Sequence, residues 1–295
     1  MAGNPELSII ILNYNTKELL AGSLNSIKKY EDEIFLEVIV SDNASSDGSA
    51  DMVRKNFPWV KLLEGENVGF SKGNNRARPY VKGKMVLFLN PDAVVNKGVL
   101  KKTTEYFKNH KDIGALSCKL VLPNGEIDKD ARRRFPTPWI AFTKLFLGNG
   151  RKYWYEDVSS NKIQEVDAIQ GAFFLTWKEI LDKVGWFDED YFFQGEDIDL
   201  SWKIKNLGLK NIYYPEASVT HLKGASTGKS KYWKARISLK QKIKIKLATV
   251  DAMELFFRKR LFNNYPRVFS WFVIFGIKVF KIFRLIGVVV SSLVK

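Results

Sequence analysis

Leu7-Ser8-Ile9-Ile10-Ile11-Leu12-Asn13-Tyr14-Asn15 is the stretch on which the architecture turns. An apolar run breaks abruptly into Asn-Tyr-Asn, which reads as a short buried strand bounded by turn-forming residues. Thr16–Lys29 then carries Leu20, Leu24 and Ile27 at helical spacing. The alternation repeats downstream. Leu36–Val40 is a strand ending at Ser41-Asp42-Asn43, and Asp47–Asn56 is a short helix with an acid at its start. Val60–Leu63 and Met85–Leu89 are further strands, the second ending at Asn90-Pro91-Asp92. Lys97–Asn109 reads as a helix and Ile113–Val121 as a strand. Strand and helix in turn predict an α/β fold with a Rossmann-like, mostly parallel sheet. The strands are near-continuous apolar runs, as expected when helices cover both faces.

The rhythm changes after Pro123-Asn124-Gly125, a turn signal. Asp130–Leu147 mixes arginines, prolines and aromatics and is expected to be irregular. Val166–Thr176 is strand-like with Gly171 inside it. Glu196–Leu207 reads as a helix with Leu200, Ile204 and Leu207 on one face and Gly208 as C-cap. Asn211–Tyr214 and Ala217–His221 are expected as two short strands.

The chain has 295 residues, enough for a sizeable core, and its 45% hydrophobic and 27% charged residues exclude wholesale disorder. Its one cysteine, Cys118, excludes an intrachain disulfide and a cysteine metal cluster. With only His110 and His221, a multi-histidine cage is excluded too. The net charge of +15 is unevenly placed. From Lys223 onward 17 Lys and Arg face 2 Asp and Glu, so the preceding part, with 30 of each sign, is neutral. The start lacks the basic n-region of a secretory signal, and no run of 18 apolar residues is uninterrupted.

Ligands of open parallel sheets bind at the carboxyl ends of the strands. Here three such ends carry Asn13-Tyr14-Asn15, Asp42-Asn43-Ala44-Ser45 and Asn90-Pro91-Asp92. Each alone is ordinary turn chemistry; together they describe a polar rim able to hold a nucleotide. Neither G-x-G-x-x-G nor G-x-x-x-x-G-K-[ST] occurs, which argues against a dinucleotide oxidoreductase and a P-loop NTPase. Asn67–Asn75 is glycine-spaced and amide-rich, suited to close backbone approach to a ligand or to a loop opening a helix. Asp92 can face a hard cation or cap a turn. Glu196, Asp197 and Asp199 begin a helix, where the dipole alone favours acids. Asp197 and Asp199 stand i, i+2 and cannot chelate one ion together; one of these acids suits a general base.

Taken in order, these segments resemble the family-2 glycosyltransferases with the GT-A fold, in particular a bacterial branch that includes rhamnosyltransferases. The likeness spans roughly residues 7–225. It rests on the Ser8–Asn15 strand end, Val40–Gly48, Asn67-Val68-Gly69-Phe70, Leu87–Ala93, Gly185–Glu189, Gly195–Leu200 and Pro215-Glu216-Ala217 followed by His221. The resemblance implies that Asp42 reads a uracil or thymine base beside Asn13 and Asn15. It implies that Asn67, Gly69 and Gly73 line the nucleotide and sugar. Asp92 matches the last acid of the family's D-x-D motif, with Asn90 in place of the first, and His221 a position that often completes metal coordination. Glu196-Asp197 matches the E-D pair whose aspartate is usually the catalytic base. Gly171-Ala172 resembles the small-residue edge passed by the donor sugar. The Arg132-Arg133-Arg134-Phe135-Pro136 segment also resembles this branch and carries no assigned role.

The resemblance thus implies an inverting glycosyltransferase dependent on Mg²⁺ or Mn²⁺. It would take a nucleotide-diphosphate sugar, dTDP-rhamnose by branch likeness, and a saccharide or lipid-linked saccharide acceptor in cell-surface polysaccharide synthesis. The rivals are a nucleotidyltransferase, disfavoured because residues 13–18 offer no glycine, a basic nucleic-acid-binding protein, disfavoured by the neutral body, and a degenerate transferase. Residues 1–225 are expected to be the catalytic domain and 226–295 a basic, amphipathic helical extension. Val268–Val294 carries Lys278, Lys281 and Arg284 on one helix face, and Lys229–Lys246 and Arg258-Lys259-Arg260 add charge. This predicts an extension lying on an anionic membrane surface, and hence a cytoplasmic protein peripheral to the inner face of the cell membrane, with no nucleic-acid partner.

Overall fold

The computed structural model describes residues 3–223 and 239–293. The boundary expected at 225 and the first part of the basic run Lys229–Lys246 lie outside them. The element order is β1 (Leu7–Asn13), α1 (Lys17–Lys29), β2 (Leu36–Asn43), α2 (Ser49–Asn56), β3 (Lys61–Gly65), α3 (Phe70–Asn75), β4 (Met85–Leu89) and β5 (Ala93–Val95). Then come α4 (Val99–Asn109), β6 (Ile113–Val121), β7 (Arg132–Arg133), α5 (Pro138–Leu145), β8 (Gln164–Val166), β9 (Ala168–Ile169), β10 (Phe173–Trp177) and α6 (Lys178–Val184). The chain ends with α7 (Glu196–Lys205), β11 (Lys210–His221), α8 (Leu239–Phe256) and α9 (Arg267–Leu293), the last two joined through a π-helical turn, Phe257–Leu261, and a 3-10 turn.

The main sheet runs β3-β2-β1-β4-β10-β6-β11-β5, with β8 also on β11. The strands β3, β2, β1 and β4 are parallel neighbours, and β6 and β11 run with them. The strand β10 is reversed between β4 and β6, and β5 and β8 are reversed against β11. The sheet is therefore mixed but mostly parallel, and it sets the carboxyl ends of β2, β1 and β4 side by side. Ile9, Ile10, Ile11, Val38, Ile39, Leu87 and Phe88 are 0–1% exposed. At about 1.5–3 kcal/mol per buried side chain, this inner strand set supplies much of the driving force for folding.

Four local expectations are corrected. Asp130–Leu147 is ordered: a 3-10 turn, the short strand β7 and the helix α5. Pro138 occupies the first turn of α5, and Thr137 Oγ1 accepts from Ile140 N, so the helix start was written in Thr-Pro. Val166–Thr176 is not one strand. It splits into β8, β9 and β10 in two sheets, with Gly171 in the turn before β10. The two strands expected over Asn211–His221 are one, β11, with a register shift between Tyr214 and Ser218; Pro215, which lacks an N–H, falls in that irregularity. Finally, α7 is capped at Asn206, and Leu207 is 46% exposed while Leu200 and Ile204 are buried.

The C-terminal segment is not a free-standing tail. A second hydrophobic cluster joins Phe135, Tyr191 and Ile198 to Ala252, Phe256, Phe257, Leu261 and Ile274. Lys281, read as part of a headgroup-facing stripe, pairs instead with Asp251 of α8. Among the described residues no helix is long and apolar enough to cross a membrane.

Candidate active site

Three poles line the carboxyl edge of the sheet. The first joins β1 and β2. Asn13 Nδ2 donates to Asp42 Oδ2 at 2.8 Å and to Ser45 Oγ at 3.0 Å, while Ser45 N donates to Asp42 Oδ1 at 2.8 Å. Asn13 and Asp42 are both buried. Asn15 stands at φ 54°, a left-handed conformation tolerated by Asn, and its Oδ1 accepts from Ser46 N. This closed amide–carboxylate loop holds Asp42 in one orientation.

The Asn67–Asn75 segment frames this pole. Asn43 Nδ2 donates to Asn67 Oδ1 and to the Gly69 carbonyl, each at 3.1 Å. Gly69 has φ +88°, and a Cβ there would meet the Phe192 carbonyl at 2.5 Å, so only glycine fits. Gly73 is placed differently from the expectation. It lies within α3, where a Cβ would meet Leu12 at 2.5 Å, and its carbonyl accepts from Ser41 Oγ at 2.7 Å. Its position packs α3 onto β1 rather than lining the rim.

The second pole is a chain of charge. His221, at the end of β11, places Nε2 3.4 Å from Asp92 and Nδ1 2.8 Å from Asp128. Lys223 pairs with Asp128 and, at 2.6 Å, with Asp130. Asp92, Asp128 and His221 are all buried. Burial opposes charge on His221, but its bonds with Asp128 and Asp92 outweigh that and raise its pKa to about 9. Burial likewise opposes the charge on Asp130, yet Lys223 and Arg133 hold it down at about 2. Asp128 and Asp130 were not singled out from sequence; the Asp-x-Asp spacing before the arginine run was the available signal. With Nδ1 held by Asp128, Nε2 faces Asp92, and on losing its proton it would offer a lone pair to a cation shared with that carboxylate. Asp92 and His221 therefore fit a hard divalent cation as two protein ligands. No group of three or more such side chains able to hold a metal exists among the described residues.

The third pole is the start of α7. Gln194 and Gly195 have left-handed backbone, φ 69° and 89°, and turn the chain into the helix. Asp197 Oδ2 accepts from Arg133 Nη2 at 2.7 Å and from Gly171 N at 3.0 Å. Arg133 also donates to the Ile169 carbonyl at 2.8 Å. Burial, reinforced by Asp197, lifts the Glu196 carboxyl to about 8. Glu196 Oε2, Arg133 Nε and Gln170 Oε1 are buried without hydrogen-bond partners among the described residues. Such orphans are costly, and these three gather around the Glu196-Asp197 pair. Ala172 is buried, and its carbonyl accepts from Asn90 N at 3.2 Å, which ties this wall to the end of β4.

The C-terminal elements brace this pole. Thr249 Oγ1 donates to Gln194 Oε1, and Ala252 packs where a Cβ on Gly195 would lie. Arg260 grips Asp199 with two bonds, Nε to Oδ1 at 2.6 Å and Nη2 to Oδ2 at 3.0 Å. Asp197 and Asp199 thus turn to different partners, as i, i+2 positions on a helix must.

The family described as "Glycosyltransferase like family 2" matches residues 5–242. An N-acetylglucosaminyl-diphospho-decaprenol L-rhamnosyltransferase of Mycobacterium tuberculosis is 27% identical over 213 residues, 66% of this chain and 69% of that protein. Rhamnosyltransferase WbbL of Escherichia coli is 26% identical over 221 residues, 72% of this chain and 82% of its own length. Among solved structures, a mannosyltransferase of Pyrobaculum calidifontis, in complex with GDP-Man and Mn²⁺, superposes with a TM-score of 0.60 at 19% identity. That match covers 98% of this chain and 74% of the other. At that identity the likeness speaks to the fold, which is the GT-A arrangement.

Proposed function

The chain belongs to the family-2 glycosyltransferases, and from that premise we propose that it is an inverting, metal-dependent enzyme moving L-rhamnose from dTDP-rhamnose to a hydroxyl of a lipid-linked saccharide. The observation that carries this reading is the convergence of three poles on one rim: Asn13–Asp42, Asp92–His221 and Glu196–Asp197. Each matches one demand of the reaction. The rhamnosyltransferase relatives support the choice of sugar and of a lipid-linked acceptor.

In this reading Asp42 accepts from the imide N–H of the base, with its orientation fixed by Asn13 and Ser45. Asn15, Asn67 and Gly69 line the nucleotide, and Asn90, Gly171 and Ala172 border the sugar. Asp92 and His221 would hold a divalent cation, Mg²⁺ or Mn²⁺, which would supply positive charge to the departing diphosphate. Asp197 takes the proton from the acceptor hydroxyl. That oxygen bonds to the anomeric carbon as the bond to the diphosphate oxygen breaks on the opposite face, and configuration inverts. Burial and the neighbouring Asp197 favour the protonated form of Glu196, which can then donate a hydrogen bond to a substrate oxygen. Residues 1–225 carry this chemistry in the proposal, and 226–295 serve as the extension that meets a membrane on the cytoplasmic side.

A donor screen tests it. Nucleoside diphosphate release is followed for dTDP-rhamnose, UDP- and GDP-sugars, with and without EDTA. Release from dTDP-rhamnose that EDTA abolishes and added Mg²⁺ or Mn²⁺ restores is expected. Full turnover in EDTA contradicts the metal, and preference for another donor contradicts the sugar.

A further inference from the structure

The helix α5 presents an aromatic ladder to solvent. Trp139, Phe142 and Phe146 are 63%, 43% and 59% exposed. Their rings stack in order, with centroids 5.9 Å and 5.5 Å apart. The ladder continues onto α9, where Phe146 meets Phe280 at 5.7 Å. From there Phe272, Phe275, Phe283 and Ile286 extend it, each more than half exposed. Two segments far apart in sequence therefore share one apolar surface. Soluble proteins rarely leave a contiguous patch of this kind uncovered.

Cations stand at the seam. Arg284 lies 5.8 Å over Phe280, whereas Lys144 of α5 turns inward over the ring of the buried Tyr153. Arg284 forms no ion pair among the described residues, and the exposed Lys278 is also unpaired there. An aromatic face bordered by unpaired cations complements anionic headgroups over acyl chains, with Trp suited to the boundary. A second copy of the chain is a poorer occupant, because it would bring like-charged seams together.

We propose that α5 and α9 form a single docking surface for an anionic lipid bilayer. The chain then sits on the membrane at two points, and the wall of the cleft lies at the headgroup level. This deepens the reading of a lipid-linked acceptor and rests on it. The connection to chemistry is short. Arg133, which holds Asp197, precedes Trp139 by one strand end and the Phe135-Pro136-Thr137 turn. A bilayer seated against α5 thereby delivers the head of a membrane-borne acceptor beside the acidic pair.

The experiment uses the sole cysteine. Cys118 is buried, so a Cys118→Ser chain with Phe142→Cys or Phe272→Cys takes one environment-sensitive dye on α5 or on α9. Each is titrated with phosphatidylcholine vesicles containing phosphatidylglycerol, and with phosphatidylcholine alone, alongside circular dichroism and dTDP binding to verify the fold. Both probes are expected to blue-shift with anionic vesicles only, and brominated acyl chains to quench both. Trp139→Ala with Phe146→Ala should weaken vesicle partitioning about tenfold or more. A shift on α9 with α5 left in water overturns the two-point dock while the membrane reading stands. Silence from both overturns the dock and the membrane partner together. A shift on α5 without vesicles, accompanied by a dimer on sizing, makes a second copy the occupant and overturns the proposal.

Discussion

Arg133 Nη2 lies 2.7 Å from Asp197 Oδ2, and both side chains are about nine-tenths buried. The acid proposed as base is thus held by a guanidinium that the sequence placed in an unassigned arginine run. Burial opposes the charge on Arg133, but the paired carboxylate holds its pKa above the ordinary arginine value.

Removing one partner of a buried ion pair typically costs about 3–5 kcal/mol. Arg133→Gln is expected to lower the melting temperature and to reduce kcat by at least about tenfold. Arg133→Lys restores the charge without the fork and should recover part of both. A kcat unchanged in Arg133→Gln would show that the guanidinium does not position Asp197.

Arg260 and Asp199 make the corresponding test for the C-terminal elements. Asp199 is fully buried, and Tyr191 Oη adds a bond at 3.2 Å. Arg260→Ala should destabilise the chain by about 3–5 kcal/mol, and Asp199→Asn in the same chain should return part of that in a double-mutant cycle. A truncation before residue 258 should lose the fold of α7, whereas deletion of 264–295 leaves the pair in place. Additive single-variant effects in chemical denaturation would show that the two residues do not interact.

Donor binding should depend on Asp92 and His221 together. Calorimetry of dTDP with Asp92→Ala or His221→Ala is expected to lose the enhancement that Mn²⁺ gives the unaltered chain. Asp128→Asn should weaken that enhancement about 10–100-fold through the orientation of His221. Equal Mn²⁺ enhancement in Asp92→Ala would place the cation elsewhere.

Glu196 gives a pH signature. Its folded pKa, about 8, stands above the ordinary carboxylate value because of burial and Asp197. The folded state then binds a proton that the unfolded state releases, so stability falls as pH rises from about 4.5 to 8. Glu196→Gln, neutral throughout, should gain melting temperature relative to the unaltered chain across that window, by a few degrees at pH 8. A difference independent of pH would mean that Glu196 titrates normally.

Much of the rim was legible because its strands are simple. Met85–Leu89 and Ile113–Val121 are strands with the bounds expected, since a buried strand needs an unbroken apolar run and little else. The polar residues at the ends of β1, β2 and β4 follow from the same logic. Asp128 and Arg133 were not legible as site members. Their partners, His221 and Asp197, are distant in sequence and reach them only through β11 and the β7–β9 pairing. Arg260 was hidden for another reason. In a segment so basic, one arginine that grips a buried acid carries the same letter as those that face solvent. Gly73 shows the converse, since a glycine in a polar loop motif can serve helix packing.

The most direct test of the account is the single-turnover rate of Asp197→Asn with donor and metal already bound. The substitution keeps shape and removes basicity. Donor affinity is expected within about twofold of the unaltered chain, with a transfer rate lower by ~10²–10⁴. A transfer rate near that of the unaltered chain, with donor bound, would contradict Asp197 as the base.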